Sequence, residues 1–476
     1  MKSLFWSRLL RLGGLLLILV GCLSSSSQTS KTIPIHTVVV SGVQWGQSTC
    51  YIGAVEGSSG FDVADLKDLG INTYRIYGGM SRWEARNDSG VYGSPSIDQI
   101  KANSDVINWF WWDTIMTNPP DGSDYWWTNA GPLWYGNAST LFSSLKTANI
   151  RPIVALRNRD DQYNPSWAPN PPTTQADWNE WWEHVFATVY WLNVRNDYNV
   201  NDFEVHNEPN SVSQGWAGNH AQYVRFLQYT RDAIDYVYTK YLPGRTYHLY
   251  APDAESGSTW PSAVLQQSAP LFDSLDVHNY DADISAYVRQ AHSWLNALGL
   301  AKYPVWMTEW GSYGADDKYS SVPMGISLIN NLIRGSRPGN DYVYGSHIFS
   351  LYDYGTTPLG LISSDGTRRV DYYAVRMAIR ALQGCRPTYE SIANNANLFA
   401  ITTKDAKDGS FFLVTNQDSQ KVDIITVDLS ALITQGKGTI WQFDAQHSDQ
   451  VVGSTMINNG QMTLTVPAMG ALLVKF

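Results

Sequence analysis

Positive charge is in short supply in this chain: 33 Lys and Arg stand against 43 Asp and Glu, for a formal charge of −10. Phosphate recognition needs a clustered cationic surface, so the balance argues against nucleic acid as the partner. No glycine-rich turn follows the first strand-like run, which removes the phosphate cradle of a doubly wound nucleotide-binding sheet. Cysteine is rare as well; with three in 476 residues, at most one disulfide can form within the chain. No cluster of metal-ligand spacing and no His pair at helical spacing accompanies the acidic residues singled out below, and no cofactor or metal is implied.

Aromatic residues are plentiful. The 20 Trp and 28 Tyr offer flat apolar faces with polar edges, which suit sugar rings, although plain core filling accounts for many of them. With 476 residues, 43% of them hydrophobic, the chain exceeds what one core usually supports, and one large and one small domain are expected.

The N-terminus, MKSLFWSRLLRLGGLLLILVGC, has a basic opening at Lys2, Arg8 and Arg11, then an apolar run short for a membrane span. Leu19, Val20, Gly21 and Cys22 resemble the bacterial lipobox. That resemblance implies removal of residues 1–21, a lipid on Cys22, and an exported protein anchored to a membrane surface without spanning it. Residues 22–35 then read as a flexible tether. An uncleaved anchor helix is the alternative, and it too leaves the folded part outside the cytoplasm.

From about residue 36 to 385, strand-like and helix-like periods alternate. The strand-like runs lie near 51–56, 73–79, 151–158, 203–208, 247–253, 274–280, 304–311 and 343–353, and stretches such as 286–300 between them carry a helical apolar face. Eight such units predict a (β/α)8 barrel. From 386 onward short strand-like runs at 399–404, 410–416, 422–429, 439–445 and 462–476, separated by Asp, Asn, Gly and Gln turns, predict a small antiparallel β-sandwich, to which residues 36–45 can add a strand. Its expected role is to buttress the barrel, with a separate sugar-binding module as the other reading.

Two glutamates end barrel strands. Glu208 closes FEVHNEPN (203–210), and Glu309, in VWMTEWG, follows 101 positions later, a normal length for three βα steps. Catalytic groups of such barrels sit at the C-terminal ends of the strands, and strands three steps apart face each other across the mouth. Two carboxylates so placed can flank one glycosidic bond.

Asn207-Glu208-Pro209, followed by Glu309 on a later strand, resembles clan GH-A of the retaining glycoside hydrolases. FEVHNEPN is most similar to the acid/base strand of family 39, the β-xylosidase and iduronidase group. The resemblance implies Glu208 as acid/base, Glu309 as nucleophile and Asn207 as a ligand of the sugar 2-hydroxyl. It also implies Arg75 beside the nucleophile, and His278 and Tyr280 in the site, all three among the expected substrate-binding residues, with Tyr280 placed to donate to Glu309. Endo-glucanase and mannanase activities of the same clan, and a barrel that binds carbohydrate without cleaving it, stay open beside the β-xylosidase-like reading. Two positions depart from the pattern. Phe349 stands where the clan usually places a Trp as the sugar's floor, with Tyr352 and Trp310 nearby, so that Phe349 and Trp310 are the expected substrate contacts there, and His206 stands where family 39 usually has Trp.

Substrate contacts are expected from the long loops after the second and third strands. There Trp126 and Trp127, beside DGSDY, fit no periodic pattern and are candidate stacking residues, whereas Trp109, Trp111 and Trp112 read as helix core. Cys50 and Cys385 flank the barrel at its bottom face, where a disulfide and two free thiols are both open. The oligomeric state is not legible.

Overall fold

A computed structural model describes residues 35–84, 95–117, 137–158, 169–214, 216–280, 283–312, 319–355, 357–405 and 407–476. Cys22, Trp126 and Trp127 lie outside the described residues. Strand β1 (Ile35–Gln47) opens this region. Eight parallel strands then close into a barrel in chain order: β2 (Tyr51–Val55), β3 (Thr73–Tyr77), β4 (Arg151–Leu156), β5 (Asp202–Val205), β6 (His248–Glu255), β7 (Ser274–Tyr280), β8 (Val305–Gly311) and β9 (Gly345–Ile348). β9 pairs back onto β2, which completes the (β/α)8 architecture.

Helices form the outer ring, and local sequence starts them. The helix after β4, Gln175–Tyr190, opens on a capping box between Thr174 and Asp177, and the helix after β5, His220–Tyr241, on one between Asn219 and Gln222. Trp178, Trp181 and Trp182 are buried between these helices and the sheet, as are Trp83 and Trp112 from the β3–β4 excursion. These tryptophans are core.

Inside the barrel, side chains change character with height. At the bottom Tyr51, Ile153, Tyr250, Trp306 and Tyr344 form an aromatic plug. Gly345 is needed there, because a Cβ would fall 2.2 Å from the Trp306 ring. Above the plug the lining turns polar, and two strands break step. β6 carries one extra residue around Asp253 relative to β7, and β8 carries one extra residue between Trp306 and Glu309. Each bulge shifts which side chains point inward.

The C-terminal region is a nine-stranded sheet closed in the order β1, β10 (Pro387–Ala393), β11 (Leu398–Asp405), β12 (Gly409–Asn416), β17 (Gly470–Lys475), β14 (Gln435–Phe443), β15 (Ser448–Asn458), β16 (Gln461–Val466), β13 (Asp423–Asp428). It differs from a purely antiparallel sandwich in one pair, since β1 runs parallel to β13. β10 and β15 were not expected as strands. Most of β15 is exposed on both faces, so it lacks the alternation that reveals a strand.

This sheet shares a core with the barrel. Ile401, Phe411, Leu413, Phe443 and Leu473 join the same apolar cluster as the barrel helices. Asp449 accepts from Arg376 at 2.8 Å and from Arg380 at 2.7 and 3.0 Å. Cys50 and Cys385 are joined as a disulfide across 335 positions, tying the start of the barrel to its last helix. Replacing both cysteines with Ser is expected to lower the unfolding free energy by about 2–4 kcal/mol. Denaturant titration of the oxidised protein against the double variant measures it, and coincident midpoints would contradict the expectation.

Candidate active site

One guanidinium organises the mouth of the barrel. Arg75, on β3, is fully buried and spends every nitrogen. Its Nε donates to Glu204 Oε2 at 2.5 Å, its Nη1 to Glu309 Oε1 at 2.5 Å and to the Tyr77 hydroxyl at 3.1 Å, and its Nη2 to Asn207 Oδ1 and Asp253 Oδ2, both at 2.9 Å. Arg75 is therefore no substrate ligand; no donor is left to offer one. It places the groups around it.

Glu309 is gripped at both oxygens. Oε1 accepts from Arg75 and from the Tyr77 hydroxyl, and Oε2 accepts from the Tyr280 hydroxyl, with His278 Nδ1 at 3.5 Å. Burial would raise this carboxyl, but the His278 and Arg75 cations outweigh it and hold Glu309 below the ordinary glutamate range.

Glu208 is reached differently. β5 ends at Val205, and the next residues leave strand geometry, with φ of 72° at His206 and 44° at Glu208. The turn sends His206 outward, where it is buried edge-on against Trp216 and Phe226, and brings Glu208 over the barrel axis. Its backbone N–H donates to Asp253 O at 2.9 Å, and its Oε1 meets His278 Nδ1 at 2.7 Å. Burial pushes the Glu208 carboxyl up to about 7 against the opposing pull of His278. Carboxylate oxygens of Glu208 and Glu309 lie within 4.8 Å of one another. Oxygens this near fit a closely spaced carboxyl pair better than the wider pair that flanks an attacking water.

His278 sits beneath both glutamates and is buried. Besides Glu208 it meets Asp253 Oδ1 through Nε2, with Thr308 Oγ1 at 3.2 Å. Burial would lower its pKa; the Glu309 and Asp253 carboxylates overcome this and raise it well above the usual value. Glu208, His278 and Glu309 cluster tightly enough to suggest a cation site, as do Asp253, Asp276 and His278. Both ring nitrogens are already engaged, so neither offers a metal a lone pair.

Asn207 has its Oδ1 held by Arg75 and its Nδ2 3.2 Å from Gln214 Oε1, which fixes the amide with its nitrogen away from the guanidinium. Phe349, just past the end of β9, stacks on Tyr354 at 5.3 Å and meets the ring of Tyr280, the residue that donates to Glu309, edge-on at 5.8 Å. Trp310 is a correction. It is 1% exposed and belongs to the helix-side core, because it falls on the face of β8 opposite Glu309. Tyr352 also points away, its hydroxyl 3.0 Å from Asp65.

Sequence reading missed Tyr77, Glu204 and Asp253. Tyr77 and Glu204 had a signal, since each shares strand parity with inward-facing neighbours, Tyr77 with Arg75 on β3. Asp253 had none, because the bulge that turns it inward breaks the period of two.

No family model matches the chain, and no curated protein is similar to it in sequence. Solved structures do resemble it in fold. A glucosidase from Croceicoccus marinus superposes with a TM-score of 0.66 at 11% identity, over 93% of this chain and 98% of that one. A family 39 enzyme from Xanthomonas axonopodis gives 0.60 at 14%, over 94% and 98%. A monomeric β-xylosidase from Caulobacter crescentus gives 0.61 at 15%, over 92% and 98%. Family 30 xylanases and family 51 arabinofuranosidases are similar too. At such identities the likeness establishes the fold alone, a (β/α)8 barrel with a β-sandwich.

Because Arg75 neutralises buried carboxylates on three other strands, Arg75→Ala is expected to destabilise the protein by about 3–5 kcal/mol. Urea unfolding measures the loss, and a change under about 1 kcal/mol would show that the network does not depend on this cation.

Proposed function

We propose that the protein is a retaining glycoside hydrolase that cleaves β-linked oligo- or polysaccharide. The observation that carries the reading is the pair itself: two buried carboxyls within 4.8 Å, one pushed up to about 7 and the other held low. An acid kept protonated next to a carboxylate kept ionised is what double displacement requires.

Glu208 protonates the leaving oxygen while Glu309 attacks the anomeric carbon, forming a glycosyl ester. The bond to the leaving oxygen breaks as the ester bond forms. Water then enters, Glu208 takes its proton, and attack at the anomeric carbon releases Glu309 with the configuration retained. Asn207 binds the sugar 2-hydroxyl, Tyr77 and Tyr280 hold the nucleophile's two oxygens, and Phe349 supplies an apolar wall.

The finer reading, a β-xylosidase-like exo enzyme, draws on the likeness of FEVHNEPN to family 39 and on the β-xylosidase among the structural neighbours. Endo-glucanase or mannanase action within the same clan is its rival. A barrel that only binds sugar would gain nothing from splitting the two glutamates' proton affinities. We also propose that Cys22 is lipidated, which would tether the enzyme to the outside of a bacterial membrane; in the native host, Cys22→Ala should move it to the soluble fraction, and retention in the membrane would rule the anchor out.

A panel of aryl β-glycosides, α-L-arabinofuranosides and polysaccharides tests the function. Glu309→Ala should abolish turnover. Glu208→Ala should cost roughly a hundred- to ten-thousand-fold for leaving groups that need a proton, and little in the first step for those that do not. Since Glu208 must be protonated in the free enzyme, kcat/KM should fall as pH rises through about 7, while its acid limb lies below the ordinary glutamate range. NMR of the first product should show the retained anomer. Undiminished activity in Glu309→Ala, or an inverted first product, would overturn the assignment.

A further inference from the structure

The mechanism leaves one buried cation between the two glutamates without a task. His278 Nδ1 is 2.7 Å from Glu208 Oε1 and 3.5 Å from Glu309 Oε2, and its other nitrogen is bound to Asp253. We propose that His278, kept as an imidazolium by Asp253, is a shared counter-ion that follows the negative charge from Glu309 to Glu208 as the sugar is transferred. The inference rests on the proposed double displacement.

Charge accounting carries the argument. In the free enzyme Glu309 and Asp253 are anions, balanced by Arg75 and His278, while Glu208 holds its proton. In the glycosyl-enzyme Glu309 is a neutral ester and Glu208, having given its proton to the leaving group, is the anion. The sum is unchanged, but the charge has moved. Arg75 cannot follow it: among its described contacts are Glu309 and Asn207, and none is to Glu208. His278 alone of the described cations touches both positions, so a single imidazolium serves each half of the cycle without leaving a buried anion unpaired.

Asp253 is built for this. It is the extra residue of the β6 bulge, with φ of 57°, and its side chain is fully buried. Oδ2 takes Arg75 and Oδ1 takes His278 and Thr308, so one carboxylate braces both cations. Other charged or titratable groups facing the ring region are Glu208 and Glu204 from the β5 side, Asp276 and Tyr280 on its own strand, Arg75 and Tyr77 from β3, Glu309 from β8, and His347 from β9, whose pKa burial pushes well below the usual value. Burial raises Glu204 to about 7 and Asp276 well above its usual value; neither group takes part in the transfer, so neither alters the shift of charge from Glu309 to Glu208.

Two measurements on the full chain test the role. Histidine-selective 15N NMR of the native protein at pH 7, with the His278 signals assigned by their loss in His278→Gln, should show both ring nitrogens protonated, and Asp253→Asn should shift them toward a neutral tautomer. Second, with an aryl glycoside whose leaving group departs unaided, kcat reports breakdown of the glycosyl-enzyme, which needs ionised Glu208. Loss of the adjacent cation raises that carboxyl, so in His278→Gln the acid limb of kcat should move up by about one unit or more, and the basic limb of kcat/KM should rise with it. A neutral His278 in the native protein overturns the proposal, as does a variant slowed with both limbs unmoved, which is what a purely structural histidine predicts. If His278→Gln does not fold, the tautomer change in Asp253→Asn decides. A wild type that turns over no glycoside refutes the hydrolase reading, an outcome distinct from a neutral imidazole in an active enzyme.

Discussion

Everything at the mouth of this barrel depends on the burial of Arg75. A guanidinium fully withdrawn from water is costly unless each donor finds an acceptor, and here the acceptors come from β5, β6 and β8 at once. The requirement runs both ways. Carboxylates on three strands can be stacked inside a closed sheet only because one forked cation lies among them, and the cation can be there only because they are. The usual interior of such a barrel is layered with branched apolar side chains. This one fills its bottom with a mostly aromatic plug and turns polar above it. The result is a site whose proton affinities are set by the scaffold before any substrate arrives, with burial pushing one glutamate up and paired cations holding the other down.

Regular strands would not deliver this arrangement. On an undistorted strand inward side chains recur every second residue, so Thr308 and Glu309 could not both face the axis, nor could Asp253 leave its place in the β6 alternation. The bulges in β6 and β8 and the left-handed residues after β5 are what bring Asp253, Glu309 and Glu208 together. Non-glycine residues at positive φ are disfavoured, and a backbone that holds several at one site is held there by its surroundings. The Glu208 N–H bond to the Asp253 carbonyl is one such restraint: two irregular segments, each stabilising the other's turn.

These same irregularities explain what was legible in the sequence. The eight strands were readable because buried parallel strands write long apolar runs, and His278 and Tyr280 could be placed on one face because the upper half of β7 is regular. Arg75 was readable as a neighbour of Glu309, but its full commitment to protein partners was not, since that depends on residues scattered over four strands. Trp310 was misplaced by proximity: adjacent to a catalytic glutamate in sequence, it lies on the other side of the sheet. Asp253 left no trace at all, because its direction is decided by one inserted residue. In the C-terminal sheet β15 was invisible for the opposite reason, having too little buried on either face to show a pattern.

The β-sandwich bears on the chemistry through packing. Its inner residues lie against the helices Val322–Gly335 and Val370–Leu382, which follow β8 and β9, the strands that carry Glu309 and lead to Phe349. From there a short chain of contacts runs to Glu309. Tyr319 accepts from the Ser312 N–H just beyond β8, donates to the Phe349 carbonyl, and through its own carbonyl holds the N–H of Asp371 in the last helix. Phe349 packs on Tyr280, and Tyr280 donates to Glu309. In the proposed mechanism this carboxylate must reach an anomeric carbon, and misplacement by about 1 Å can cost a hundredfold in rate. The sandwich therefore packs against the β8–β9 side of the barrel, the side that carries Glu309, the nucleophile of the proposed mechanism.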